Sequence, residues 1–193
     1  MNKILLIIFI LIFSKLFYGC TPAGVVAGTG ASSMVIAEGD RSVGSVVDDA
    51  TIKVKVSASF LSSDENLFLD IDTKVIEGRV LLTGIVKDQE TRIEAVRRVW
   101  EVNGVKEVIN EIEVGDRTTI KEYANDLWIT TQIRALAAKN IGLRSLSFNF
   151  ETIKGKVYVA GVTSHKDQLE NLISTIKTVK GVKEIVNYVI IKE

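Results

Sequence analysis

Hydrophobic and polar residues alternate along two short segments of the chain, and this alternation predicts two half-buried β-strands. In the first segment one face carries Leu67, Leu69, Ile71 and Val75, and the other face carries Asp70, Asp72 and Lys74. In the second segment Leu146, Phe148 and Phe150 alternate with Ser147, Asn149 and Glu151. Because successive side chains of a strand point to opposite faces, one face of each segment is expected to pack against a core.

A two-residue turn comes after each of these segments. Glu77-Gly78 comes after the first and Lys154-Gly155 after the second. Glycine in the second place favours a tight hairpin, because both turn residues need a positive φ. The chain is therefore expected to fold back into return strands at residues 79–85 and 156–162.

Helical spacing of apolar residues predicts one helix before and one helix after each hairpin. The first helices are expected at residues 48–61 and 126–139, and the second at residues 88–102 and 166–179. An aspartate at or near the start of each first helix is a predicted N-cap; these are Asp48, Asp49 and Asp126. Asn103-Gly104 and Lys180-Gly181 are expected to end the second helices, and a last strand then closes each unit.

The second half of the chain repeats the first half at a constant offset of 77 residues. Gly78 and Gly84 match Gly155 and Gly161, and the turn VNGVKE at 102–107 matches VKGVKE at 179–184. Two copies of an α-β-β-α-β unit are therefore predicted, which gives an α+β fold class. We expect each unit to hold a three-stranded mixed sheet covered on one face by two helices.

The N-terminal residues have the order of a secretory signal. A positive start is followed by an unbroken apolar run at residues 4–13. As a helix this run spans about 15 Å, against about 30 Å for the hydrocarbon core of a membrane. Residues 1–19 are therefore predicted to be a signal peptide rather than a transmembrane helix.

Cys20 is the only cysteine of the chain, and its place after Gly19 resembles a bacterial lipobox. In a lipobox the cysteine becomes the N-terminus and carries acyl chains, so residues 1–19 are expected to be a lipoprotein signal peptide. The alternative is an ordinary signal peptide, because Phe17 stands where a lipobox usually has leucine. Small residues and glycines dominate the segment after Cys20, so residues 20–47 are predicted to be the lipidated cysteine and a flexible linker.

The paired glycines and the turns NGVKEV and KGVKEI before the last strands are similar to those of the BON domain (bacterial OsmY and nodulation). The resemblance covers residues 41–192 and divides them into BON domains at 48–115 and 125–192. Two BON units behind a lipobox resemble the dual BON-domain lipoproteins of the outer membrane. This resemblance implies a non-enzymatic, lipid-anchored protein on the periplasmic side that binds anionic phospholipid and helps maintain outer-membrane integrity.

Charge and one aromatic residue distinguish the two repeats. Residues 21–117 contain 11 basic and 17 acidic residues, whereas residues 118–193 contain 11 basic and 7 acidic residues. Trp128 stands where the first repeat has Thr51, about 100° away from the predicted core stripe of its helix. Residues predicted to share the phospholipid-binding side of that helix are Trp128, Thr131, Ala135 and Lys139.

Other arrangements of the two tryptophans stay open. Trp128 could pack against the other repeat or the linker instead of a membrane. Trp100 has Lys177 as its counterpart in the second repeat, and we expect it to lie at the edge of the core or between the repeats.

The residue inventory argues against catalysis, and no cofactor or metal is expected. His165 is the only histidine, so a metal site or a Cys–His or Ser–His pair lacks its second member. A secretory signal and a slightly acidic mature chain disfavour nucleic acid as a partner. The alternative to a phospholipid-binding protein is a structural adaptor whose BON domains dock envelope proteins, with the lipid anchor as its only membrane contact.

Overall fold

The computed structural model describes residues 41–116 and 118–192, which form two units with the same order of elements. The helices and strands of the first repeat are α1 (Val43–Ser63), α2 (Glu65–Asp70), β1 (Ile71–Ile76), β2 (Arg79–Val86), α3 (Gln89–Trp100) and β3 (Glu107–Val114). Those of the second repeat are α4 (Ile120–Ile141), the 3₁₀ turn Gly142–Ser147, β4 (Phe148–Ile153), β5 (Lys156–Thr163), α5 (Lys166–Lys177) and β6 (Glu184–Ile191). The predicted signal peptide, Cys20 and most of the predicted linker lie outside the described residues.

Each repeat contains the predicted mixed sheet. The middle strand β2 pairs antiparallel with β1 and parallel with β3, and β5 pairs in the same two ways with β4 and β6. Both hairpin turns have positive φ at both residues, 56° and 79° at Glu77-Gly78 and 51° and 84° at Lys154-Gly155. The predicted hairpins are therefore confirmed, with the backbone that a two-residue turn between twisted strands requires.

Two helices cover one face of each sheet and enclose one apolar core per repeat. Val56, Phe60 and Val99 are fully buried in the first core. Ile133 and Ile176 are fully buried in the second. The predicted fold class is therefore correct for both units.

The opposite faces of the two sheets pack against each other. A third apolar cluster joins the repeats and contains Ile76, Leu81, Ile85, Ile153, Tyr158, Ala160 and Val162. The layers therefore run helices, sheet, sheet, helices, so that no sheet is left with a bare apolar face.

Both first helices begin earlier than predicted, which corrects the N-cap assignment. Helix α1 is capped by Ser42, whose hydroxyl oxygen accepts from the Ser45 amide, and α4 is capped by Thr119. Residues 43–47 are consequently helical and do not belong to the predicted linker. Asp49 and Asp126 lie inside the helices and are buried, because they bind the hairpin turns instead of the helix ends.

The predicted first strands are also shorter than the alternation suggested. Leu67 and Leu69 lie in α2, where Leu67 is buried and Leu69 is exposed. Asp64 caps this short helix by accepting a hydrogen bond from the Asn66 amide at 2.8 Å. Leu146 likewise lies in the 3₁₀ turn before β4. The strands therefore begin only at Ile71 and Phe148.

Candidate functional site

Helix α4 is held in place at its first turns by two sets of hydrogen bonds. The hydroxyl oxygen of Thr119 accepts from the Glu122 amide at 3.3 Å, and the Glu122 carboxylate accepts from the Thr119 amide at 2.8 Å, which completes a capping box. These bonds hold the pKa of Glu122 below its ordinary value. One turn further, Asp126 accepts from the amides of Lys154 at 2.7 Å and Gly155 at 2.9 Å. The start of α4 is thereby fixed to the hairpin turn.

The outer face of α4 carries a second apolar stripe. Its inner face buries Ile129, Ile133 and Ala137 in the core. Exposed large apolar residues occur on the outer side at helical spacing: Ile120, Tyr123, Leu127 and Trp128. Trp128 has 63 % of its surface exposed and takes no part in the apolar cluster between the sheets, so it does not pack against the first repeat. Apolar residues therefore occupy both faces of this helix, and within the described residues only the inner face is buried.

The four sequence-predicted site residues lie together on this outer face. Trp128, Thr131, Ala135 and Lys139 are all exposed, and they fall within about 80° of one another around the helix axis at 100° per residue. The Thr131 hydroxyl donates to the Leu127 carbonyl at 2.8 Å. The predicted grouping of these residues is thus present in the fold.

Sequence reasoning missed the N-terminal third of the face. The predicted helix began at residue 126, so Ile120 and Tyr123 were left outside it. The signal was the spacing of Ile120, Tyr123, Leu127 and Trp128, which is that of one helical face. We call the exposed residues Ile120, Tyr123, Leu127, Trp128, Thr131, Ala135 and Lys139 the outer face of α4.

The equivalent face of α1 has no aromatic residue. Thr51 stands in place of Trp128, and the exposed apolar residues there are Val43, Val47, Val54 and Leu61. Trp100, on α3, has 53 % of its surface exposed and takes no part in the apolar cluster between the sheets. The prediction that Trp100 packs at the core edge or between the repeats is therefore wrong.

Lysines surround a hollow beside the first turns of α4. The hollow is lined by Thr119, Lys121, Glu122, Asn125, Asp126, Lys154 and Lys183. The Lys183 ammonium donates to the Lys154 carbonyl at 2.9 Å. Lys121 precedes Trp128 by seven residues, so it lies within about 20° of Trp128 around the helix axis.

A separate cleft of about 470 Å³ lies between the repeats. Its walls include Asp72 and Thr83 of the first repeat and Tyr123 and Glu151 of the second. Burial and the nearby Asp72 carboxylate raise the pKa of Glu151, although Lys74 lies 3.7 Å from it. Within the residues that the structure describes, no three histidine, cysteine or carboxylate side chains are grouped so as to hold a metal ion.

Taken together, these features define a class of protein: a tandem repeat of small α+β units with an exposed apolar helix face on the second unit. Comparison with protein-family models matches the BON domain twice, at residues 48–116 and 125–193, and the chain therefore belongs to the BON-domain family. The resemblance found in the sequence is confirmed.

Three curated relatives span most of the chain. An uncharacterized protein in the gshII 5′ region of Anaplasma centrale is 39 % identical over 76 % of this chain and 96 % of its own length. The osmotically-inducible protein Y of Escherichia coli is 32 % identical over 75 % of this chain and 73 % of its own length. The outer membrane lipoprotein DolP of Haemophilus influenzae is 27 % identical over 88 % of this chain and 89 % of its own length. Within residues 41–116 and 118–192, no helix has the length and apolar character needed to cross a membrane.

Proposed function

We propose that this protein is an outer-membrane lipoprotein that binds anionic phospholipid through the outer face of α4 and helps maintain membrane integrity. The observation that carries the proposal is the exposed stripe of Ile120, Tyr123, Leu127 and Trp128 on the second repeat. Four large apolar side chains left in water on one helix face mark an interaction surface. Tryptophan and tyrosine favour the interface of a membrane, where the ring is buried and the polar atom stays hydrated.

Charge favours an anionic surface for this face. Lys121 and Lys139 lie within about 20° of Trp128 on either end of the stripe, and both are exposed. A basic residue close to an anionic membrane contributes about 1 kcal/mol to binding. The apolar stripe and the lysines together match an interfacial helix that lies in the plane of the membrane.

The proposed lipid anchor and the helix face act as two separate membrane contacts. Acylation of Cys20 would tether the chain through the linker, and the similarity to an outer membrane lipoprotein supports this location on the periplasmic side. A tether alone leaves the globular part free to turn. Contact through α4 would hold the second repeat against the lipid surface, which is how the protein would act on the membrane without catalysis.

Vesicle binding tests the proposal. The protein is the whole mature chain, residues 20–193, with Cys20→Ser so that no acyl chain contributes. It is titrated with vesicles of phosphatidylethanolamine alone and of phosphatidylethanolamine with phosphatidylglycerol. We expect binding to the anionic vesicles only, and a loss of about tenfold or more in Trp128→Ala, since a buried aromatic ring contributes more than about 1.4 kcal/mol.

Trp100→Ala is the matched control, because Trp100 is similarly exposed but lies on the first repeat. It is expected to bind like the unsubstituted chain. Equal losses in both variants would show that the tryptophans act non-specifically and would contradict the proposed face.

A structural adaptor is the second candidate function. The exposed apolar side chains of Val43, Val47, Val54 and Leu61 on α1 favour it, because this second apolar surface has no aromatic residue of the kind that anchors to a membrane interface. In that case envelope proteins would dock on the repeats. The same titration separates the two functions, because an adaptor without its acyl chains would not bind either kind of vesicle.

A further inference from the structure

Three lysines from three separate segments meet at the hollow beside the start of α4. Lys121 comes from the first turn of α4, Lys154 from the β4–β5 turn, and Lys183 from the loop that enters β6. All three are exposed. The two loops touch closely, since a Cβ on Gly155 would lie 2.8 Å from the Gly181 carbonyl oxygen. Backbone contacts therefore fix the positions from which Lys154 and Lys183 extend.

The three lysines of this hollow outnumber its two carboxylates, and Lys154 and Lys183 act on the Glu122 carboxylate through space. Among residues 41–116 and 118–192, neither Lys121 nor Lys154 forms an ion pair, and Lys183 is held only by a backbone carbonyl. Two carboxylates line the hollow, and both already accept backbone N–H groups. Glu122 is bonded to Thr119 in the capping box, and Asp126 to the hairpin turn. The hollow therefore keeps a net positive charge, because three ammonium groups stand against two carboxylates.

The first repeat forms the same hollow with the opposite charge. There the equivalents of Lys121 and Lys154 are Gly44 and Glu77. The hollow of the first repeat is lined by the carboxylates of Asp48, Asp49 and Glu77 and by only two lysines, Lys55 and Lys106. Lys183 has Lys106 as its counterpart, so of the three lysines only Lys121 and Lys154 distinguish the two hollows. Since the backbone is shared, the fold does not require lysines at those two positions, and their presence in the second repeat favours an anionic ligand there.

We infer that Lys121, Lys154 and Lys183 bind a phosphate group, which is carried by a lipid headgroup or by a soluble phosphate compound. A phosphate offers several strong acceptor oxygens and a negative charge, which suits lysines that approach from three directions. Lys121 lies on the same side of α4 as Trp128, about 10 Å along the helix axis. The inference rests on the proposed function in placing this lysine hollow at headgroup level when Trp128 enters the interface.

The test compares two variants that lose the same net charge. One is Lys121→Gln/Lys154→Gln/Lys183→Gln, and the control is Lys53→Gln/Lys87→Gln/Lys177→Gln, whose lysines are exposed and lie away from the lysine hollow. Both are made in the mature chain with Cys20→Ser. They are titrated with vesicles that hold equal fractions of phosphatidylglycerol or of cholesteryl hemisuccinate, whose anionic group is a carboxylate.

We expect the unsubstituted chain to bind the phosphatidylglycerol vesicles several-fold more tightly than the cholesteryl hemisuccinate vesicles. The lysine-hollow variant should lose that preference, with a drop of about tenfold or more on phosphatidylglycerol, since one lysine near the surface contributes about fivefold. The control should keep the preference. If both variants weaken binding to both lipids equally, the lysines act only through net charge, and the inference is overturned.

Inorganic phosphate identifies the source of the ligand. Backbone amide NMR shifts of Lys154, Gly155 and Lys183 are monitored during titration with phosphate, against chloride at equal ionic strength. Shifts at millimolar phosphate point to a soluble compound, whereas loss of preference on vesicles without such shifts points to a lipid headgroup. If the lysine-hollow variant has no effect while Trp128→Ala does, this inference fails and the proposed function stands. If phosphate binds but no vesicle does, the proposed function fails alone.

Discussion

Glu111 and Tyr188 occupy the same position in the two repeats, 77 residues apart, and the Tyr188 hydroxyl donates to the Glu111 carboxylate. The same carboxylate accepts from the Lys156 ammonium at 3.2 Å. Burial and the adjacent carboxylate raise the pKa of Tyr188 to about 12, so its hydroxyl keeps its proton at neutral pH. A position that meets its own counterpart lies on an approximate two-fold axis between the two repeats.

A second pair has the same relationship. Lys74 and Glu151 are also 77 residues apart, and the Lys74 ammonium lies 3.7 Å from the Glu151 carboxylate. In a pairing of two identical first repeats, Lys74 would face another Lys74. In a pairing of two second repeats, Glu151 would face another Glu151. The substitutions between the repeats therefore favour the pairing within one chain over pairing between copies of the same repeat.

Exchanging the charges of this pair tests that interpretation. Lys74→Glu places a third carboxylate beside Asp72 and Glu151, and we expect it to lower the free energy of unfolding by about 1–3 kcal/mol. Lys74→Glu/Glu151→Lys should recover most of that loss, because one lysine again lies among the carboxylates. Urea denaturation measures the free energy of unfolding of the single and the double variant. Lys87→Glu, on an exposed turn, is the control, and an unrepaired loss in the double variant would contradict the proposed pairing.

The raised pKa of Glu151 predicts a pH dependence of stability. Its folded pKa lies above the ordinary value of 4.5, so the folded state keeps a proton that the unfolded state has released. The free energy of unfolding therefore falls as pH rises from about 4.5 through the raised pKa. Glu151→Gln removes this fall, and we expect it to raise the melting temperature at pH 7 but not at pH 4. If Glu151→Gln and the unsubstituted protein had equal melting temperatures at pH 7, the Lys74 ammonium would fully compensate the negative charge of Glu151.

Asp126 is predicted to be essential for the start of α4. Its carboxylate satisfies two backbone N–H groups, and only 5 % of the residue is exposed. Asp126→Ala leaves the buried Gly155 N–H and the part-buried Lys154 N–H without this acceptor, which should cost about 2–4 kcal/mol of stability in urea denaturation. Asp126→Asn retains one acceptor oxygen and should lose about half as much. Asp48→Ala, at an exposed position of α1, is expected to change little, and a similar loss there would contradict this role.

The sequence predicted the elements whose signals are local, and it missed contacts that form between distant segments. The hairpins could be predicted from Glu77-Gly78 and Lys154-Gly155, since the turn residues themselves need the positive φ. Asp49 is an aspartate near a helix start, which is a local pattern typical of an N-cap. Its actual partners lie 28 and 29 residues away, at Glu77 and Gly78, so only the folded chain shows them.

Only part of the candidate site could be predicted from the sequence, because the rest depends on contacts between distant segments. Trp128 stood out because the repeat offered Thr51 for comparison. Lys154 and Lys183 are far from Lys121 in sequence, and only the contact between their loops places all three lysines around one hollow. The same repeat comparison, applied to every position that lines this hollow, would have shown the change from Gly44 and Glu77 to lysine.

Gly84 shows how closely α2 and the sheet approach each other. It has a φ of 145° and lies opposite Ile71 in the β1–β2 register, and an added Cβ would lie 2.1 Å from the Asp70 carbonyl oxygen. Backbone at that distance cannot move aside as a flexible side chain would. Gly84→Ala should therefore lower the free energy of unfolding by about 2 kcal/mol or more.

Gly115→Ala is the matched control for this prediction, because a Cβ there meets no atom within 4 Å. It should change stability by less than about 0.5 kcal/mol. Gly161, the counterpart of Gly84, has the Ser147 carbonyl oxygen 2.5 Å from an added Cβ, so Gly161→Ala should be destabilising as well. Chemical denaturation of the three variants measures these differences. If Gly84→Ala were as stable as Gly115→Ala, the end of α2 would have to move away from β2 at little cost, and Gly84 would not be required for close packing within the first repeat.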